Sequence, residues 1–364
     1  MILNRFNRRG RRNARRNDQP KVQAEPLHNL DLSPDPQSAS PLYNGRIPPE
    51  IRDHIFAYAL AEYTKSDPDS QYPRSTNYTR PGYTGKRTIT FALLQTCKRT
   101  YLETYHLPPV TKEHVFWHQR WPADNTIANV FGDDQEVEYF KQLTTWQLKL
   151  VKEIHLFTQL FWLEGSFVGL SKQPLLQGIE KLKITIRRGD WWWNESNEPL
   201  GINPQRGDGS FAQMLQDWKS SSPIPWRKDG WGCAFRNLKG LKELELELET
   251  SEDKVDELKA IVKHAKEWKF PLGEGMCLSA DGLEPKSTEW RSTDIYWAET
   301  CPYCNNSSKC RGTSGFLDLS LNEKCGQKMQ LKRQGLGPMC TIMSLRYKLA
   351  KVGGEHSRAE SSVA

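Results

Sequence analysis

The residues best suited to chemistry are cysteines gathered late in the chain: Cys301-Pro302-Tyr303-Cys304, then Cys310, Cys325 and Cys340. Two thiols at this spacing can form a redox pair when a helix starts directly after them, because its positive end stabilises the first thiolate. Asn305-Asn306-Ser307-Ser308-Lys309 favours a turn instead, and the residues beyond show no strand pattern, so redox catalysis is disfavoured. A structural zinc site needs less: Cys301, Cys304, Cys310 and Cys325 offer four thiolates for a tetrahedral ion. A second Cys-x-x-Cys pair is missing, and the plainest reading is of surface thiols on a partly disordered tail, 298–364. His114 and His118 flank bulky apolar residues that favour a strand, where positions four apart lie about 13 Å from each other, too far to share a metal.

No phosphate loop, dinucleotide fingerprint, nucleophile elbow or His-Glu-x-x-His motif is present, so nothing here supports an enzyme. The other conspicuous group is Trp191-Trp192-Trp193, within a Trp-rich insertion at 187–236. Side chains alternate along an extended chain, so the three cannot all be buried together. The triplet is a candidate substrate surface, or else a lid on a sheet.

The elements that would position these groups read as helix and strand in turn. Phe140, Leu143 and Leu150 mark a helix, and Ile154-His155-Leu156-Phe157 a strand. Lys181-Leu182-Lys183-Ile184-Thr185-Ile186 and Lys242-Glu243-Leu244-Glu245-Leu246-Glu247-Leu248 alternate apolar with polar residues, which predicts strands with one buried and one wet face. Val115-Phe116-Trp117 reads as extended. A helix spans Asp253 to Trp268 on Val255, Leu258, Ile261, Val262, Ala265 and Trp268, with Ser251 as its N-cap. The expected fold is α+β or an irregular α/β repeat over 119–297, preceded by a helical module at 46–118.

That module opens Arg46-Ile47-Pro48-Pro49-Glu50-Ile51. Its prolines suit a helix's first turn, where N–H groups need no partner. Ile51, Ile55, Phe56, Ala59 and Leu60 then fall on one helix face, which must bury against something. Phe91 to Tyr105 supplies a second helical pattern through Leu94, Cys97, Tyr101 and Tyr105. Between them Tyr63 to Arg87, rich in Pro, Gly and Tyr, reads as a long surface loop.

On Ile47, Pro48, Glu50, Ile51, Ile55, Phe56, Ala59 and Leu60, then Leu93, Leu94, Cys97, Lys98 and Glu103, the chain resembles the fungal F-box-like proteins. The likeness covers about a sixth of the chain. It departs at Ile47, where the family usually has Leu, and in the long segment at 61–88. More loosely, Arg46 to Trp297 looks like a fungal family with no established activity. The resemblance implies docking of a cullin-adaptor subunit through Ile47, Pro48, Pro49, Ile51, Ile55, Phe56, Leu60, Leu94 and Cys97, with a leucine-rich-repeat-like region presenting a ubiquitin-ligase substrate surface.

Composition sets the remaining bounds. With 37% hydrophobic and 10% aromatic residues, the 364-residue chain can build a sizeable core. Its formal charge of +7 resides in seven arginines, Arg5, Arg8, Arg9, Arg11, Arg12, Arg15 and Arg16, which leave 44 basic and 44 acidic residues elsewhere. The folded part is neutral overall, which argues against electrostatic steering towards nucleic acid. Residues 1–45 are expected to be a disordered basic and Pro-rich tail. Its arginines fit a nuclear-import signal first, then a nucleic-acid contact or a mitochondrial presequence. No apolar run reaches the roughly 20 residues of a membrane helix, and no secretory signal is read. The expected location is the nucleus or cytoplasm, with the cysteines reduced and no cofactor beyond the zinc alternative.

Overall fold

The computed structural model describes residues 37–123, 125, 134–194, 198–207, 211–219, 225–297, 301, 303 and 319–352. Their architecture is mixed α and β, built on one eight-stranded sheet. Four strands run parallel in chain order: β3 (Val115–Trp117), β4 (Glu153–Phe157), β5 (Lys181–Ile186) and β6 (Glu243–Ser251). Glu153, Lys181 and Glu243 stand side by side in register. The strands read from alternation are therefore adjacent, although 28 and 62 residues separate their starts in sequence.

The far side of the sheet is antiparallel. β7 (Lys269–Gly273) and β8 (Met276–Ser279) form a hairpin, and β9 (Lys286–Thr293) follows. β10 (Leu336–Lys351) pairs with β6 along one edge and with β9 and then β8 along the other. It follows the helix Leu319–Arg333. The expectation of no strand pattern beyond Lys309 is thus corrected, since the sheet's longest strand comes from that region. Its second half does alternate, Leu345 and Tyr347 facing the core while Arg346 and Lys348 face away.

Helices fill the crossovers and cover one face. Gln135–Gln142 and Thr145–Leu150 lie between β3 and β4, and Leu160–Gly165 with Phe167–Leu170 between β4 and β5. Thr144 starts the second of these with a capping box to Gln147. The helix read from Asp253 splits into a 3₁₀ turn, Glu252–Lys254, and Val255–Ala265; Ser251 stands at the N-cap of the turn, without a side-chain bond to it, and Lys254 at that of the helix. Leu258, Ile261, Val262 and Ala265 pack against Leu244, Leu246 and Leu248 in the core.

The opposite face differs from expectation. Glu245, Glu247 and Glu249 point away from the helices, yet all three are buried. Residues 63–87 fold over them instead of looping into solvent: β1 (Tyr63–Thr64) and β2 (Arg87–Thr88) close the segment's base, and its far part lies on the sheet. Arg80, itself buried, donates to Glu247 at 2.6 Å and sits 3.3 Å from Glu249. Strand alternation showed that the two faces differ in polarity, but said nothing of a lid whose Arg80 precedes Glu247 by 167 positions.

Replacing Arg80 by leucine takes from Glu249 the cation beside it and leaves Glu247 with Lys183 alone. The expected cost is about 3–5 kcal/mol of unfolding free energy, read as a lower urea midpoint; an unchanged midpoint would show that the lid does not hold the sheet.

Candidate functional site

Three helices form the module beside this lid: α1 (Pro49–Ala59), α2 (Lys98–Thr104) and α3 (Leu107–Thr111). Pro48 caps α1 without a side-chain bond and Pro49 is its first residue. The second helical pattern is interrupted, because Phe91–Gln95 is a 3₁₀ turn and Cys97 is the N-cap of α2, its sulfur accepting from the Thr100 amide at 3.4 Å. Arg52 of α1 donates to Glu103 of α2 at 2.7 Å, and Tyr43 reaches Thr100 Oγ1 at 2.7 Å while Arg99 lies over its ring. These contacts fix α1 on α2 by polar groups as much as by apolar ones.

The apolar face of α1 divides. Phe56 and Leu60 are fully buried, whereas Ile51 is 52% and Ile55 42% exposed, and Tyr58 is exposed beyond them. Spacings of four and three place Ile51, Ile55 and Tyr58 along one ridge of the helix. Of the other residues proposed for docking, Pro48 and Pro49 are exposed, and Ile47, Leu94 and Cys97 are half-buried. Phe91 and Val110, on neighbouring segments, are exposed large apolar side chains too.

A cavity of about 260 Å³ separates this module from β3, lined by Glu62, Tyr83, Arg87, Lys112, Glu113 and Tyr139 among others. Its charges are internally matched. Arg87 pairs with Glu62 at 2.9 Å and with Glu113, while Lys112 lies over the Tyr139 ring. From Glu113 a chain of polar contacts crosses the sheet: His155 Nδ1 is 2.8 Å from Glu113, His155 Nε2 2.8 Å from Thr185 Oγ1, and Thr185 3.2 Å from Glu247. Tyr83 donates to Glu113 at 2.6 Å and packs edge-on against Trp117 and Phe157. Arg187, also buried, is held by Asp190 and by the carbonyls of Gln119, Arg120 and Asn77. Gln119 and Arg120 adopt positive φ of 73° and 51°, which suits them to turn the chain at this cation.

Burial shapes the ionisation of this chain of groups. It pushes the Glu247 carboxyl up, but Arg80 and Lys183 outweigh it and bring the group to about 2. Glu113 is likewise lifted by burial and carried well below the usual carboxylate range by His155, Tyr83 and Arg87. His155 is driven down by burial, more than Glu113 restores. The arrangement can hold charge in place across the sheet.

Compared with models of known protein families, with curated proteins and with solved structures, the chain matches none.

The tryptophan triplet is not buried together, and it lies in a turn rather than an alternating strand. Trp191 is buried, its indole donating to the Glu249 carbonyl at 2.8 Å, while Trp192 and Trp193 are exposed. Of the four proposed metal ligands, Cys301 and Cys325 are both buried with sulfurs 3.8 Å apart, while Cys304 and Cys310 lie outside the described residues. Among the described residues no group of three or more potential ligands gathers. His114 and His118 are engaged separately, the first by Tyr139 and the Pro109 carbonyl, the second by Glu136. The arginine cluster at 5–16 lies outside the described residues. No helix among the described residues is long and apolar enough to cross a membrane. Sequence reading missed the Glu113–His155–Glu247 chain, whose only signal was Lys, His and Glu at strand positions that become neighbours once the register is known.

Acid should loosen this face in a defined window. Glu247 is lower in the folded chain than its ordinary 4.5, so the stability it contributes is complete above that value and lost as pH falls towards about 2. His155, depressed when folded, adds loss in the same direction as pH drops through the ordinary imidazole range. Unfolding free energy measured by urea should therefore fall from about pH 6.5 to about pH 2, and Glu247→Gln should flatten the limb below about pH 5; an equally steep limb there in the variant would assign the effect elsewhere.

Proposed function

We propose that the chain is a non-enzymatic interaction protein: the helical module docks a cullin-adaptor subunit, and the sheet-bearing region presents a surface to a ubiquitin-ligase substrate. The observation that carries this reading is the exposed ridge of Ile51, Ile55 and Tyr58 on a helix rooted by Phe56 and Leu60. Apolar side chains aligned on one helix ridge and left in water mark a surface that gains by meeting a partner. The resemblance to F-box-like proteins includes Ile51, Ile55, Phe56 and Leu60 and names the partner. Parallel strands β4, β5 and β6, in register and joined by helical returns, support an irregular leucine-rich-repeat-like reading of the second region.

Because Ile51 and Ile55 are exposed, Ile51→Asp with Ile55→Asp should leave the fold intact. Covering an isoleucine contributes about 1.5–3 kcal/mol, so the double variant should lose the adaptor by roughly a hundredfold or more. Co-purification with a cullin adaptor tests this, with melting temperature as the control on folding. Adaptor retained by the wild type and lost by a normally melting variant supports docking; a wild type that retains none ends the proposal.

One distance favours a second reading, a structural zinc. A tetrahedral ion with sulfurs at about 2.3 Å sets neighbouring sulfurs about 3.8 Å apart, and Cys301 and Cys325 have that separation. It is also far beyond a disulfide's roughly 2.05 Å. Cys304 and Cys310 would complete the set by their place in the sequence. The chain purified without chelator should carry about one zinc, and Cys301→Ser or Cys325→Ser should each abolish it. Metal-free protein under these conditions would rule the site out.

A further inference from the structure

Phe161, Trp192 and Trp193 form an aromatic cluster at the surface. The Phe161 and Trp192 rings lie 6.3 Å apart and inclined at 60°, and those of Trp192 and Trp193 6.2 Å apart and inclined at 35°. All three are exposed, Trp193 by 66%. Trp193 also has a φ of 53°, a left-handed conformation that a bulky side chain adopts only under constraint. Such constraint at a position gaining little from burial points to use of the ring itself.

Glu164, on the helix Leu160–Gly165, belongs to the cluster: its Oε2 accepts from the Trp192 indole at 3.0 Å. Burial pushes its carboxyl up to about 7, with the indole bond only partly offsetting that. Among the described residues no Lys, Arg or His forms an ion pair with it. A partly desolvated carboxylate beside three exposed aromatic side chains is half of a charge pair.

We propose that Phe161, Trp192, Trp193 and Glu164 form a recognition site for a methylated ammonium group, the head of a methyl-lysine on a protein partner. Ring faces carry negative electrostatic potential and attract cations, tryptophan most strongly. The methyl groups meet the rings, and the charge meets Glu164. Methylation matters because the cluster is poor in acceptors: one Glu164 oxygen is already engaged by Trp192, so an unmodified ammonium would bring more N–H donors than it can satisfy. A guanidinium, with five donors, fits less well still.

The test uses the full chain and tetramethylammonium chloride, followed through the indole N–H resonances of Trp192 and Trp193. Both should shift saturably, while tert-butanol, neutral and similar in shape, moves neither. Trp193→Ala and Glu164→Gln should each weaken binding by about fivefold or more. Wild-type affinity should rise from about pH 6 to about pH 8 as Glu164 deprotonates, and the Gln variant should lose that dependence. Nε-trimethyl-lysine should then bind about tenfold tighter than lysine. No saturable shift, an equal response to tert-butanol, or a shift that survives Trp193→Ala would each overturn the site, and equal binding of lysine would remove the methyl selectivity. The Ile51→Asp, Ile55→Asp variant should keep the shifts, so failure of adaptor docking and failure of ammonium binding are separate results.

Discussion

One buried cation holds the two parts of the molecule together. Arg80 lies between Glu247 and Glu249 and over the Phe157 ring, with its Nε and Nη1 lacking hydrogen-bond partners among the described residues. Removing a guanidinium and two carboxylates from water costs several kcal/mol per ion, and their mutual attraction offsets that only when all remain together. The lid must therefore stay down wherever the sheet is folded. Because the same segment carries Tyr83 and Arg87, which contact Glu113, His155 and Glu62, the helical module is positioned through it.

This coupling accounts for the polar face of the sheet. A row of glutamates on β6 would repel itself if dry and unmatched. Lys183 lies within 3.4 Å of Glu245 and 2.9 Å of Glu247 from β5, Arg346 reaches Glu245 from β10, and Arg80 arrives from above. The charges are interleaved strand by strand, so covering the face leaves few of them alone. The exposed ridge on α1 and the aromatic cluster at Trp192 lie outside this network, which leaves both surfaces free to be altered without disturbing it.

Much of the sheet was legible because period-two alternation survives in β5 and β6, and because Pro48-Pro49 sets the start of α1. The covering of the polar face was not, since alternation reports a difference between faces and is silent on what a distant segment lays over them. The second helical pattern misled through Leu94 and Cys97: their spacing fits one helix, but Leu94 belongs to a 3₁₀ turn that ends at Gln95 and Cys97 caps a separate helix that starts at Lys98. β10 was obscured at Cys340 to Met343, where apolar residues occupy both faces because both are covered. The aromatic cluster was half visible, as three tryptophans in a row force at least one outward, whereas Phe161 and Glu164 join them only through the crossover after β4.

The position of β10 has a consequence for how the chain is made. It lies between β6 and the β8–β9 edge, in the interior of the sheet, yet among the described strands it leaves the ribosome last. Until then β6 carries a long unpaired edge, and the hairpin of β7 and β8 has no neighbour to bind it to the parallel half. An open edge of this kind invites pairing with other chains. The alternating glutamates of β6 give that waiting edge a negative charge, so two nascent copies repel each other until the basic stretch of β10, with Arg346 and Lys348 opposite Glu245 and Glu243, closes it.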